Sequence, residues 1–384
     1  MTNTNGPLSS STPISPVTEP SPRPEGGERG VVYVATKDAR FVEEAALSAI
    51  IMKQAAPGLP VWLYTDQADC PLNRLNVFDH VEIIETCTDY EDVSAGAKID
   101  RLRVLTNAPF ERCLQIDTDT RIKSDAIQRI FGFLDHVDIA MVECHPDSSI
   151  FRGIYGQPMF NGGLVLFKRG AKTQQLFEAW RDLSDKHFRI ADTPDLAAAA
   201  TECPYIAHVS APDESRTLLR RDQLVLAQLF SPVNNRFDVT YAQLSEGWNF
   251  RGMGEHRRLM EPVIIDHRNA YKFTTLQDLL AEAFQRFAAG DRPSAGLIYN
   301  HAATHHAPEI GNIPAAELAN AFAGVEDPIA TSIAADAKAA LAAADETPQW
   351  LDNALRIAAL RLRAGQTQMA AKIGEAIKGK AVSG

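Results

Sequence analysis

Residues 30–65 read GVVYVATKDARFVEEAALSAIIMKQAAPGLPVWLYT, and this stretch decides the fold class. GVVYVAT is a short β-branched run that suits a pleated, buried surface. Residues 37–54 then carry apolar side chains at helical spacing, and residues 60–65 (PVWLYT) read as a second strand. Working outward, residues 81–84 (VEII) predict a third strand and residues 98–105 continue a helix. Residues 112–116 (RCLQI) and 137–142 predict a fourth and a fifth strand. Strands alternating with helices give an α/β fold, a mixed and mostly parallel sheet with helices on both faces. Ligands of such sheets bind beyond the carboxyl ends of the strands, which is where the chemistry is to be sought.

The flanks differ in composition. Residues 1–29 are Pro, Ser and Thr rich, with little apolar surface to offset the entropy of ordering, so a disordered tail is expected. The α/β domain is expected over residues 30–309. Residues 310–384 are Ala rich, and Leu351, Leu355, Ala358, Ala359 and Leu362 recur at helix spacing, predicting a C-terminal helical appendage that could be a dimer contact.

The 384 residues suffice for a sizeable core, and 45% hydrophobic with 23% charged residues is a globular composition. No apolar run approaches the roughly 18 residues a membrane span needs. The first thirty residues hold no apolar segment of the signal-peptide kind. A net charge of −11 argues against a broad nucleic-acid surface while leaving room for a local basic pocket. The five cysteines (70, 87, 113, 144 and 203) are scattered, odd in number and lack a Cys-x-x-Cys pair. They read as reduced thiols of a cytoplasmic protein, not as a disulfide frame or zinc site.

Residues 113–122, CLQIDTDTRI, carry the strongest chemical signal. In an extended chain residues i and i+2 point the same way, so Asp117 and Asp119 project from one face at a strand's carboxyl end. Carboxylates this close repel unless a cation lies between them or one is protonated. Oxygen ligands suit Mg²⁺ or Mn²⁺, ions usually held by one or two carboxylates plus substrate phosphates. Three later stretches add to it. Phe160-Asn161-Gly162-Gly163 precedes an apolar strand, and two glycines there suggest close approach of backbone to a ligand. Asp222-Gln223 opens an apolar helix, where the acid could equally be a first-turn residue. Residues 263–266 (VIID) form a strand ending at His267, which offers a nitrogen ligand; His301, His305 and His306 are a reserve source of one.

In this order the pieces resemble the nucleotide-sugar glycosyltransferases of the GT-A fold, most of all the family-eight type that includes galactosyltransferases and glycogenin-like proteins. Asp117-Thr118-Asp119 resembles the family's Asp-x-Asp, residues 160–163 its Phe-Asn-x-Gly, Asp222-Gln223 its Asp-Gln pair and residues 244–250 (LSEGWNF) its Leu-Pro-x-x-Trp-Asn stretch. His267 resembles its metal-binding histidine, although the following run is HRNAYKF, with no glycine and with Lys272 one residue closer than in the family. The likeness spans roughly residues 30–275.

The resemblance implies transfer of a sugar from a nucleoside diphosphate sugar, UDP the expected nucleotide, to a glycan, protein or small-molecule acceptor. It implies Mn²⁺ or Mg²⁺ on Asp117, Asp119 and His267, with Lys98 and Arg101 toward the diphosphate, and Ala35, Thr36 and Asp38 around uracil and ribose. Gly162 would approach the donor, while Asn161, Asp222 and Gln223 would surround the transferred sugar, Gln223 near the anomeric carbon. Retention by front-face displacement is the implied stereochemistry, since an amide is a poor nucleophile. Trp248 offers an acceptor ring a face to stack on. Two other readings stay open. Asp117–Thr120 (DTDT) also matches haloacid-dehalogenase-type phosphohydrolases, in which the first Asp is the nucleophile. A non-catalytic nucleotide-binding or scaffold protein on the same fold is the other.

Overall fold

A computed structural model of the chain describes residues 27–87, 90, 92–144, 159–192, 212–230, 237–251, 262–267, 278–279, 282–283, 285–286, 289–305, 335, 338, 339 and 342. Most of the expected N-terminal tail and of the Ala-rich appendage, including residues 351–362, lies outside the described residues, as do Cys203 and Lys272. No helix among the described residues is long and apolar enough to cross a membrane. Cys70, Cys87, Cys113 and Cys144 are free thiols.

Seven strands form one sheet in the order β3-β2-β1-β4-β7-β6-β8. They are β1 (Arg29–Ala35), β2 (Val61–Thr65), β3 (His80–Ile83), β4 (Arg112–Ile116), β6 (Ile139–Val142), β7 (Leu164–Lys168) and β8 (Tyr241–Leu244). The five strands expected from the sequence are present, the third starting at His80 and the fifth two residues later than expected. Neighbouring strands pair in parallel except at β7, which is antiparallel to both β4 and β6. A separate ribbon pairs β5 (Thr120–Ile122) with β9 (Ile265–His267), also antiparallel.

Helix α1 (Ala39–Ala55) follows β1. Its N-cap is Asp38, whose carboxylate accepts the Arg40 amide, and residues 57–58 (Pro-Gly) follow its end. Asp92 caps α2 (Val93–Thr106) in the same way. The other helices are α3 (Ala171–Ala191), α4 (Pro212–Leu219), α5 (Asp222–Leu229) and α6 (Arg292–His305).

The strands alternate between two cores. Val31, Tyr33 and Ala35 of β1, Leu114 and Ile116 of β4, and Leu164 and Leu166 of β7 face α1, α6 and the 3-10 stretch Asp125–Asp135. Val32, Cys113, Val165 and Phe167 face α2, α3 and α5, where Leu105, Phe177, Trp180 and Leu226 are buried. Burial on both faces explains why these strands read as continuous apolar runs. Each fully buried side chain of the Leu or Phe kind contributes about 1.5–3 kcal/mol.

The antiparallel course of β7 fixes where the chemistry lies. Ile116, the last residue of β4, pairs with Leu164, the first of β7. The Asp117 amide extends that ladder by donating to the Gly163 carbonyl at 2.9 Å. The Asn161-Gly162-Gly163 turn therefore meets the carboxyl end of β4. Close approach elsewhere uses Gly30, where a Cβ would overlap the buried ring of Phe110. Gly30→Ala is expected to cost about 1–3 kcal/mol in a urea melt. Gly58→Ala, facing open space, is expected to stay within about 0.5 kcal/mol of the parent.

Candidate active site

A cleft of about 710 Å³ opens where β1 and β4 end and α2 and α5 begin. Of the residues singled out above, Thr36, Asp38, Lys98, Arg101, Asp117, Asp119, Asn161, Asp222, Gln223 and His267 all line it.

At its centre, single ligand atoms of Asp117, Asp119 and His267 lie within 4.8 Å of one another. The local folding is simple. Asp117 and Asp119 occupy the turn between β4 and β5, and the β5–β9 ribbon pairs Thr120 with His267. The Thr120 hydroxyl donates to the Asp117 carbonyl at 2.8 Å, and the Thr118 hydroxyl donates to buried Glu44 at 2.7 Å, so the turn is tied from both sides. His267 Nδ1 lies 2.9 Å from Asn249 Oδ1. An amide oxygen only accepts, so Nδ1 donates to it and Nε2 is the ring nitrogen turned toward the two carboxylates. That nitrogen is 3.2 Å from Asp119 Oδ1 and 3.7 Å from Asp117 Oδ2. Two carboxylates and an imidazole nitrogen thus converge on one point, the donor set of a cation site. Two carboxylate oxygens and one imidazole suit a divalent cation. The group fits the residues present.

Around this centre the structure shows what else the expected residues touch. Arg101, expected to face a diphosphate, is clasped by the protein: its guanidinium pairs with Asp222, lies 3.4 Å from Asp117 Oδ1 and donates to the Gly162 carbonyl at 2.7 Å. Burial works against its charge, but Asp222 and Asp117 more than offset this and its pKa is raised. Lys98 donates to the Arg220 carbonyl at 2.7 Å and sits over the Phe188 ring. Gly162, expected to approach the donor, is not on the lining; a Cβ there would fall 2.8 Å from the Arg101 guanidinium. A Cβ on Gly163 would fall 2.7 Å from Asp117 Oδ2 and against the His267 ring. The two glycines make room for the site's own side chains.

Ala35 points into the apolar core, because strand alternation presents Val34 and Thr36 to the cleft instead. Asp38 is committed to capping α1 and to Arg40 at its rim. Asp222 is the first residue of α5 and buried, so its first-turn place and its facing of the cleft coexist. Trp248 packs on the core, edge-on to Phe133 at 5.6 Å, and does not line the cleft. His301, the reserve nitrogen ligand, stands away from this centre: it is buried on α6, with Nε2 2.5 Å from buried Glu43. The side chain of His305, and His306, lie outside the described residues.

Two residues of the cleft lining carry polar atoms without protein partners. Thr36 Oγ1 and Asn161 Nδ2 are buried and have no hydrogen-bond partner among the described residues, a costly state that a ligand would relieve. Sequence reasoning missed Lys37, Glu44 and Arg251, and it gave Asn249, part of the 244–250 stretch, no contact with His267. Lys37 turns the chain after β1 with a left-handed backbone (φ 80°), held by its amide on Asp66 and its ammonium on the Cys87 carbonyl and Asp100. Such strain in a non-glycine residue persists only where surroundings enforce it.

No family profile matches the chain, and no curated protein matches it by sequence. Solved structures do match. The chain is similar to the galactosyltransferase LgtC, solved with donor and acceptor sugar analogues, at 13% identity over 62% of this chain and 87% of that one, with a TM-score of 0.37. It is also similar to the glycosyltransferase GlyE of Streptococcus pneumoniae TIGR4 in its apo form, at 16% identity over 62% of this chain and 54% of that one, TM-score 0.37. At this distance the chemistry of the site rests on its own residues.

Asn249→Ala removes the acceptor that orients His267 and is expected to weaken Mn²⁺ binding by about 10- to 100-fold. Paramagnetic resonance of free Mn²⁺ checks this without any substrate.

Proposed function

We propose that the chain is a metal-dependent glycosyltransferase of the GT-A fold that takes a sugar from a UDP-sugar and passes it to an acceptor with retention. The observation that carries this reading is the convergence of Asp117, Asp119 and Nε2 of His267 in a cleft large enough for a nucleotide sugar. The charge balance points the same way. Six carboxylates and five lysine or arginine side chains line the cleft, so formal charge is slightly negative until a divalent ion reverses it. An anionic donor is then favoured only together with the ion.

When bound, the ion neutralises negative charge growing on the diphosphate as the bond to the sugar breaks. The residues of the chain bind and orient. Thr36 and the turn at Lys37 offer polar contacts at the end of β1, where a nucleoside would lie. Asn161 lines the cleft and Gln223 lies beside Asp222 at the start of α5, so both suit the hydroxyls of a sugar. An inverting enzyme needs a carboxylate base beside the acceptor. Asp222, the candidate for that part, is held by the Arg101 guanidinium, which favours retention. The free thiols suit a reducing compartment, so a cytoplasmic location belongs to the same proposal.

Calorimetric titration of UDP with and without Mn²⁺, on the parent and on Asp119→Ala, tests the reading. Mn²⁺-dependent binding that the substitution abolishes, with melting temperature checked in parallel, is the expected result. Absence of UDP binding in either condition sinks the uridine-donor reading. Hydrolysis of a generic phosphate ester would favour a phosphohydrolase, and UDP binding without turnover of any UDP-sugar would favour a binding protein.

A further inference from the structure

A metal-bound diphosphate still needs a counter-charge from the protein. Five cationic side chains line the cleft: Lys37, Arg40, Lys98, Arg101 and Arg251. Four are committed to the protein. Lys37 serves the Cys87 carbonyl and Asp100, Arg40 serves Asp38, Lys98 the Arg220 carbonyl, and Arg101 both Asp117 and Asp222. Arg251 has no ion pair or side-chain hydrogen bond with any described residue.

Its placement is fixed. The Phe250 amide donates to the Ile265 carbonyl and the Phe250 carbonyl accepts the His267 amide, both at 2.8 Å, so the backbone entering Arg251 is locked onto β9. The same short segment carries Asn249, which orients the His267 ring. Arg251 therefore leaves the chain beside the metal-ligating end of β9, with its charge unspent. A planar guanidinium presents paired donors that match two phosphate oxygens.

We propose that Arg251 is the side chain that binds the diphosphate of the donor opposite the divalent ion, a part the sequence pattern points to Arg101 and Lys98 for. This rests on the UDP-sugar reading above. Arg101 is instead a positioning residue that holds Asp117 and Asp222 in place. A prior commitment of this kind makes a poor ligand: turning Arg101 to a phosphate would strip buried Asp222 and part-buried Asp117 of their partner.

The test compares parent, Arg251→Ala and Arg251→Lys for binding of four probes: Mn²⁺ alone, then uridine, pyrophosphate and UDP with Mn²⁺ present. Arg251→Ala is expected to lose about 10- to 100-fold in affinity for UDP and for pyrophosphate. Its Mn²⁺ affinity, uridine affinity and melting temperature should match the parent, and Arg251→Lys should recover part of the loss. UDP and pyrophosphate affinities equal to the parent's in Arg251→Ala overturn the assignment while leaving the donor reading intact. A parent that binds neither UDP nor pyrophosphate with Mn²⁺ overturns both. A loss of Mn²⁺ or uridine affinity alongside UDP overturns it too, since Arg251 would then be supporting the fold of the site.

Discussion

The antiparallel ladder between β4 and β7 is the constraint on which the cleft depends. It joins Ile116 to Leu164 and continues through the Asp117 amide to Gly163. A parallel β7 would carry Asn161 and the glycine pair to the opposite edge of the sheet, away from Asp117. Reversed, it delivers them to the one edge where β1 and β4 also end. The short β5–β9 ribbon adds the second half, since pairing Thr120 with His267 sets an imidazole from far along the chain beside Asp119. Two hydrogen-bonded registers thus build a site that no single segment contains.

Electrostatics determines what that site tolerates. Like charges at Asp117, Asp119 and Asp222, set close together in one cleft, need partners. Arg101 supplies one fixed partner, gripping Asp222 and one oxygen of Asp117, with the other Asp117 oxygen turned to His267. Breaking a buried pair of this kind by removing one member costs about 3–5 kcal/mol, so loss of activity in an Asp222 variant would mix chemistry with stability. Space is rationed around this arrangement. Gly162 lets the guanidinium in, and Gly163 lets Asp117 and His267 meet.

Backbone geometry behind the cleft is equally specific. Glu43 and Glu44 are adjacent on α1, both buried, and serve opposite sides: Glu43 meets His301 of α6, and Glu44 meets Thr118 in the turn between the two aspartates. Helix α1 is therefore pinned between the back of the domain and the aspartate turn. Its start is set by Asp38 and by the strained Lys37 turn, so α1 ties the wall of the cleft at β1 to the turn at β4.

The sequence by itself determined the alternation of strands and helices, because doubly buried strands must be apolar throughout and helices must show their period. It also determined the pair Asp117 and Asp119, since a two-residue spacing at a strand end puts both carboxylates on one side whatever the rest of the chain does. Residues such as Asn161, Asp222 and His267 were legible as polar groups at element ends, and they do meet in one cleft. Only the tertiary structure decided how the charges are shared. Arg101 and Arg251 look alike in sequence, yet one is enclosed by Asp117 and Asp222 and the other faces the cleft with no described partner. Strand direction at β7, the role of Asn249 behind His267 and the burial of His301 were equally hidden. Each depends on pairing between segments remote in the chain, and a local pattern carries no record of which remote group will stand opposite.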